Sequence, residues 1–254
     1  MQTETPAAAG RAWRSVLAHI EGRLIDGDLR PGDHLPPERE LAAALGVGRS
    51  SVREAIRVLE GFGLVRTQTG SGPRSGAIII ATPRGGMSAL MRLQVAARGF
   101  PVADIVRTRL LIETSVAAEL AAADGRADLA DAAELLDAMD VGGLTPAEFL
   151  ALDAQFHAAL ADATGNQVVT AIMAGLRTSI EGYALAAVPL FDDWGAATAT
   201  LRREHRGILD AIVAGDPAGA ADLVRAHIAG YYVQSGLAGS HAPALAGAGP
   251  PAGT

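Results

Sequence analysis

The chain has 254 residues, a formal net charge of −7 and 49% hydrophobic residues, enough to build one large or two small domains around a substantial core. It contains no Cys, which excludes disulfides and thiolate metal sites. The N-terminus lacks the basic and then apolar layout of a signal peptide, and no apolar run approaches the roughly 20 residues that span a bilayer, so we expect a soluble cytoplasmic protein.

Charge is distributed unevenly along the chain. Residues 11–84 contain 11 Arg and 8 acidic residues, whereas residues 85–254 contain 10 Arg and 19 acidic residues. A mildly basic first third and an acidic remainder indicate that a polyanionic partner would meet the N-terminal part of the chain. Scattered charges on a solvated surface would give a similar excess. The positions of the Arg residues therefore have to distinguish a binding surface from such scatter.

The first third of the chain predicts a winged helix-turn-helix over residues 11–77. Residues 1–10 have no periodicity and are expected to be disordered. A first helix follows from Trp13, and the stretch "DGDLRPGD" ends it. Two short helices are expected next, from near Pro37 to Gly46 and from about Arg49 to Glu60, joined by a tight turn. Two short strands around a Gly-rich tip at 70–76 would form the wing.

The second of these short helices has two distinct faces. Its apolar residues recur at helical spacing and should pack inward: Val52, Ala55, Ile56 and Leu59. Arg49, Arg53 and Arg57 recur every four residues on another side, with Ser50 near the start. Such Arg side chains can enter a major groove and make bidentate contacts to guanine. An ordinary solvated Arg face is the alternative, and the preceding helix, the turn and the wing favour DNA binding over it.

The stretch "GDLRPGDHLPPERELAAALGVGRSSVREAIRVLEGFGLVRTQTGSG" resembles the winged helix-turn-helix of GntR-type bacterial transcription regulators. The Pro-Gly turn, "LPPEREL" and "VGRSSVREA" carry the resemblance. It departs from the family at Gly48, where Ser is frequent, and in a wing tip that is richer in Gly than usual. The resemblance implies that DNA is contacted by Arg39, Gly48, Arg49, Ser50, Ser51, Arg53, Thr69 and Gly70.

The rest of the chain changes character and predicts an all-helical second domain. Long Ala- and Leu-rich stretches are punctuated by Gly, Asn and Pro, and no strand pattern occurs. We therefore expect an antiparallel bundle of six or seven helices over residues 89–236. Residues 78–88 would be the linker, and the low-complexity tail 237–254 would be disordered.

Four polar residues fall on faces where core residues should point. Asp153 and His157 lie about one helical turn apart inside an apolar stripe. His205 lies ten residues before Gly215 and His227 ten residues after Pro217, so antiparallel helices about that turn would bring the two imidazoles level. A buried lone carboxylate is costly, and a divalent metal held by it and three neutral imidazoles removes that cost. Hydrogen-bonded core His residues are the alternative.

The stretches "RTRLLIETSVAAELAA", "DAQFHAALADATGN", "EHRGILDAI" and "RAHI" resemble the FCD-type ligand-binding domain of the FadR subgroup of GntR regulators. The resemblance implies metal ligands at Asp153, His157, His205 and His227. We expect one divalent ion per chain, Zn²⁺ first, with Ni²⁺ or Mn²⁺ as alternatives because occupancy depends on availability.

Arg109 lies centrally on the apolar stripe of the first long helix of this region, and Glu113 follows one turn later. One interpretation is a structural ion pair between the two. The other is that Arg109 grips a small carboxylate beside the metal, since a guanidinium offers a planar fork for it. The family resemblance points to the second role. Further pocket candidates are Arg177, Tyr183 and Trp194.

These observations predict a regulator of the FadR subgroup and no enzyme. The expected protein is a homodimeric repressor that binds a short palindromic operator and responds to a small organic acid. A metal-dependent hydrolase is a second class, but it would need a further acid or base, and it would leave the helix-turn-helix unexplained. A regulator that senses only the metal, or one in which the metal is structural, is the third.

Overall fold

A computed structural model describes residues 6–68, 76–80, 83–97, 100–123 and 127–235. The chain forms two compact units, residues 1–90 and 91–254. Within the described residues the protein is mainly helical with one small two-stranded sheet. None of the described helices combines the length and apolar content needed to cross a membrane.

Three helices precede the wing among the described residues: α1 at Pro6–Ile25, α2 at Glu38–Leu45 and α3 at Arg49–Gly61. Helix α2 ends at Gly46, whose φ of 62° is left-handed and favours glycine. The predicted bounds of α2 and α3 are met to within a residue. Helix α1 starts inside the stretch 1–10 that we expected to be disordered, because Ala has the highest helix propensity and Pro is tolerated in a first turn.

The wing is an antiparallel pair of strands, β1 at Val65–Gln68 and β2 at Gly76–Ile79, with Val65 opposite Ile79. The Glu60 carboxylate at the end of α3 accepts hydrogen bonds from the backbone N–H of Thr67 at 2.9 Å and from its hydroxyl at 2.6 Å. These hydrogen bonds fix α3 against β1. The tip between the strands, which includes the predicted DNA contacts Thr69 and Gly70, lies outside the described residues.

Seven further helices follow: α4 at Pro83–Ala96, α5 at Val102–Ala122, α6 at Ala130–Met139, α7 at Pro146–Ala163, α8 at Gln167–Ala187, α9 at Trp194–Val213 and α10 at Pro217–Gln234. The prediction of six or seven helices is confirmed for the described residues. The predicted linker 78–88 is wrong in its bounds, because β2 runs to Ile79 and α4 begins at Pro83. A Pro is well suited to the first position of a helix, and the division between the units falls within α4.

Local caps fix where the helices that carry the polar cluster begin. The Thr145 hydroxyl and the Glu148 carboxylate form a reciprocal capping box at the start of α7. The Asp216 carboxylate accepts a hydrogen bond from the backbone N–H of Gly219 at 2.9 Å and starts α10. Gly215, with a φ of 69°, makes the preceding turn. These signals place α9 and α10 antiparallel about residues 215–217.

Helix α9 is also tied to the end of α6. The Nε of Arg202 donates to the carbonyl of Met139 at 2.7 Å. Arg206 donates to the carboxylates of Asp137 at 2.6 Å and Asp140 at 2.7 Å. The two Arg side chains flank His205 in the sequence and hold α9 in register with its neighbour.

Candidate metal centre and DNA-binding surface

Asp153 and His157 of α7 meet His205 of α9 and His227 of α10 in the core of the second unit, and their ligand atoms all lie within 4.8 Å of one another. The His205 Nε2 lies 3.0 Å from an oxygen of Asp153 and 3.2 Å from the Nε2 of His227. The Nε2 atoms of His157 and His227 are also 3.2 Å apart. The structure therefore brings together all four residues that the sequence predicted as ligands.

Two carboxylates outside this cluster, those of Glu113 and Glu204, contact the imidazoles of His157 and His227 and orient them. The Glu113 Oε2 lies 2.6 Å from the Nδ1 of His157, and the Glu204 Oε2 lies 2.8 Å from the Nδ1 of His227. Each carboxylate can only accept, so the Nδ1 atoms carry the protons and the Nε2 atoms present lone pairs. Two lone pairs then face each other at 3.2 Å, an arrangement that a cation between them stabilises.

The donor set fits a divalent transition metal. One carboxylate and three imidazoles suit Zn²⁺ and its neighbours in the first transition row, and carboxylate partners on metal-binding His residues are the usual second layer of such sites. His205 differs from the other two imidazoles, because its Nδ1 has no hydrogen-bond partner among the described residues. The exposed fractions are 8% for Asp153, 3% for His157, 0% for His205 and 3% for His227.

The surroundings keep Asp153 and His205 in the deprotonated forms that a metal requires. Burial lowers the pKa of His205, and the neighbouring His227 lowers it further, to about 4. Burial alone would raise the pKa of Asp153, but the hydrogen bond and charge of His205 outweigh burial and hold that pKa well below its usual range.

Arg109 lies beside this cluster, and the Nε of its guanidinium is paired with Glu113. Its Nε donates to the Glu113 Oε1 at 2.6 Å, and one terminal nitrogen, Nη1, lies 3.3 Å from the Tyr183 hydroxyl. Burial raises the pKa of Glu113, but the charges of Arg109 and His157 outweigh it and lower that pKa to about 2. The structural ion pair is thus present, and the other terminal nitrogen, Nη2, has only a 3.5 Å contact with Glu113.

Tyrosines from α8 and α10 line the same region. The Tyr232 hydroxyl is buried, and Tyr183 and Arg109 lie close enough to it to affect its pKa. Burial raises that pKa well above the usual range, so the hydroxyl keeps its proton and can donate. Trp194 packs edge-on against Phe149.

Arg177, the remaining pocket candidate, faces a different neighbourhood. It donates to Glu181 at 2.8 Å and lines a surface groove with residues of α6 and α7. The structure does not support it as a lining residue of the metal centre.

Among the described residues, those predicted to contact DNA lie on α2, on α3 and at the N-terminus of α3. Arg39, Arg49, Ser50 and Arg53 are exposed, and Gly48 caps α3 with extended backbone and no side-chain hydrogen bond. Ser51 is only 5% exposed, so its hydroxyl offers little surface to a phosphate. Arg53 pairs with Glu38 of α2 at 3.0 Å, an exposed pair of the kind that contributes little and exchanges easily.

Sequence reasoning missed Glu204 and Tyr232, and it missed the contact of Glu113 with His157. Glu204 adjoins His205 in the chain but points to His227 on the next helix, which only the packing of α9 on α10 reveals. Glu113 contacts both Arg109 and His157, and the second contact depends on how α7 packs. Nothing in the sequence marked Tyr232 except its position on the last helix. The sequence offered only the pairing of Glu113 with Arg109.

Each of the two units matches a known protein family. Residues 13–74 match the model of the gntR family of bacterial regulatory proteins, and residues 104–230 match the FCD domain. The HTH-type transcriptional repressor NanR of Citrobacter rodentium is 29% identical over 88% of this chain and 89% of its own length. The Uxu operon transcriptional regulator of Escherichia coli K12 is 29% identical over 65% of this chain and 63% of its own length.

A solved structure shares the fold. Streptococcus agalactiae GntR superposes with a TM-score of 0.57 at 24% identity and covers 85% of this chain and 97% of that one. The matched families are families of DNA-binding transcription regulators and not of enzymes. With an N-terminal gntR match and an FCD domain over the helical unit, the chain belongs to the GntR family of bacterial transcription regulators, in its FadR subgroup.

Proposed function

We propose that the protein is a homodimeric repressor, working in the cytoplasm, whose affinity for a short palindromic operator is controlled by a small carboxylate effector bound at a metal in the FCD domain. The observation that carries this proposal is the convergence of three imidazoles and one carboxylate beside a buried Arg. A helical core does not need such a cluster for stability, since well-packed apolar residues of similar volume serve as well or better.

Asp153, His157, His205 and His227 would hold the metal, with Zn²⁺ as the first candidate and Ni²⁺ or Mn²⁺ as alternatives. When bound, the ion would supply a Lewis acid to which an effector oxygen can attach. Glu113 and Glu204 would keep His157 and His227 oriented with their Nε2 atoms toward it.

The effector's carboxylate would be held by Arg109. The Arg109 Nη2 has only a long contact with Glu113, and the buried Tyr232 hydroxyl lies near Arg109. These two donor groups favour an anion with planar oxygens, since a guanidinium and a phenol can each donate to a carboxylate. A small hydroxy acid or sugar acid combines that carboxylate with an additional oxygen for the metal.

Repression and dimerisation are proposed from the relatives and from symmetry. NanR, similar over most of both chains, carries the description of a transcriptional repressor. Winged helix-turn-helix readers commonly act as two-fold dimers on palindromic sites, because each protomer reads one half-site. The exposed Arg39, Arg49 and Arg53 would provide the contacts in each half-site.

A second candidate is a regulator that responds to the metal alone. The burial of all four ligands favours it, since such a site is closed to solvent in this conformation. A metal that shifts operator affinity without any acid would act as the effector itself.

Operator titrations distinguish these functions. An operator is first selected from random duplex DNA, and its affinity is then measured with chelated protein, with Zn²⁺-loaded protein, and with Zn²⁺-loaded protein plus the organic acid that most raises the melting temperature. We expect the acid to change operator affinity only in the metal-loaded protein, by the equivalent of about 1–3 kcal/mol. A shift caused in full by Zn²⁺ supports the metal sensor, and no shift in any arm contradicts both.

A further inference from the structure

One carboxylate joins the metal cluster to Arg109. The Glu113 Oε1 accepts from the Arg109 Nε at 2.6 Å, while its Oε2 accepts from the His157 Nδ1 at the same distance. Glu113 is 4% exposed, Arg109 5% and His157 3%, so water does not compete for either bond. Arg109 and Glu113 lie one turn apart on α5, whereas His157 comes from α7.

The second carboxylate of the site offers a natural comparison. Glu204 accepts from the His227 Nδ1 at 2.8 Å, much as Glu113 does from His157. Its side chain is 34% exposed, and none of the ion pairs found within the described residues joins it to an Arg. Both carboxylates orient an imidazole, but only Glu113 shares its charge with the guanidinium proposed to bind the effector.

We propose that Glu113 is a positioning residue that couples Arg109 to the metal, so that metal and carboxylate effector bind cooperatively. A carboxylate bound to Arg109 would draw the guanidinium away from Glu113. The Glu113 carboxylate would then hydrogen-bond more strongly to the His157 N–H. A more strongly held N–H makes the opposite nitrogen a better ligand. Because binding coupling is reciprocal, metal binding would in turn strengthen the effector's hold on Arg109.

The competing account is that Arg109 acts on the metal only through its charge across space. That effect would be present whatever residue stands at position 113. Coupling through Glu113 makes a different prediction: a change at position 109 alters metal affinity only when a carboxylate at 113 connects the two. This inference rests on the proposed metal site, and the experiment has to separate failure of one from failure of the other.

The test is a double-mutant cycle read out with Zn²⁺ alone. Affinity for Zn²⁺ is measured by competition with a chromogenic chelator in full-length wild type, Arg109→Met, Glu113→Gln and the double variant. The same set is made with Glu204→Gln in place of Glu113→Gln as the matched control. A second cycle with Arg109→Lys and Glu113→Asp, which keeps both charges, covers the case in which a variant with one unpaired buried charge does not fold.

We expect Glu113→Gln and Glu204→Gln each to weaken Zn²⁺ binding by about 10- to 100-fold. Because it leaves Glu113 to His157 alone, Arg109→Met should tighten Zn²⁺ binding by more than about twofold in wild type and in the Glu204→Gln background, but not in the Glu113→Gln background. A merely structural role of Glu113 would lower the melting temperature of the metal-free variants without making Zn²⁺ affinity depend on residue 109.

Equal effects of Arg109→Met with and without Glu113 would overturn the coupling while leaving the metal site intact. No effect of Arg109→Met in wild type, or weaker Zn²⁺ binding, would also overturn it. Absence of Zn²⁺ binding in wild type would instead reject the proposed metal site, and the coupling with it.

Discussion

The Nε2 atoms of His205 and His227 lie 3.2 Å apart, although 22 residues separate them in the chain. Each stands ten residues from the turn that Gly215 and Pro217 define, one before it and one after it. Antiparallel helices rise equally per residue, so equal distances from a turn bring side chains level. The pair shows how the spacing of two helices sets the geometry of the candidate metal site.

Loss of two imidazoles should remove the metal. Protein with His205→Ala and His227→Ala should contain no bound ion, whereas wild type should contain about one divalent ion per chain, since two ligands do not make a site of this class. Elemental analysis of protein from metal-replete medium measures this. His34→Ala, which removes an exposed His of the first unit, should leave the content unchanged, and a metal content equal to wild type in the double variant would falsify the site.

Metal should stabilise the FCD domain. A ligand that binds only the folded state at 100 times its dissociation constant adds about 2.7 kcal/mol to the free energy of unfolding. Zn²⁺ added to chelator-treated wild type should therefore raise the melting temperature, and His157→Ala should not respond. The control is Mg²⁺, which prefers oxygen ligands. An equal rise with Mg²⁺ in wild type contradicts a transition-metal site.

Acid should destabilise the metal-free protein through His205. The ordinary pKa of His is 6.5 and that of folded His205 is about 4, so between these values the unfolded chain binds a proton that the folded chain does not. The contribution is present above pH 6.5 and is lost as the pH falls toward 4, at about 1.4 kcal/mol per pH unit at most. Urea unfolding of wild type and His205→Gln between pH 7 and pH 5 measures it, and the variant should show the shallower slope.

Operator binding should depend on the exposed face of α3. Arg49→Ala and Arg53→Ala should each weaken specific binding by about 1–3 kcal/mol without altering the melting temperature. Arg203→Ala, an exposed Arg on α9, is the matched control and should bind as wild type does. If the double variant at 49 and 53 binds the selected operator as tightly as wild type, the DNA-binding assignment of this face is mistaken.

The sequence predicted what periodicity and end signals specify. Gly46 and the apolar spacing of Val52, Ile56 and Leu59 defined the helix-turn-helix, and core-facing Asp153 and His205 marked the metal cluster. These features are local, because a helix's face and its end are set by residues within a few turns.

What the sequence left open depends on packing between helices. Glu204 adjoins one ligand in the chain and serves another on the next helix. The choice between an ion pair and an effector contact at Arg109 could not be made from one helix, since the structure gives its guanidinium both a paired side and a less engaged side. The start of α4 was missed because Pro83 and the glycines after it read equally well as a linker.

The most direct test measures operator affinity as the organic acid that most raises the melting temperature of wild type is added. It is made with metal-loaded wild type and with metal-loaded Arg109→Met. The account predicts that the acid shifts operator affinity in wild type and has no influence in Arg109→Met, whose operator affinity without acid stays near that of wild type. Arg109→Lys should restore the response poorly, because a point charge does not replace a bidentate fork. A response in Arg109→Met as strong as in wild type would show that Arg109 serves only its ion pair with Glu113 and would contradict the proposed effector site.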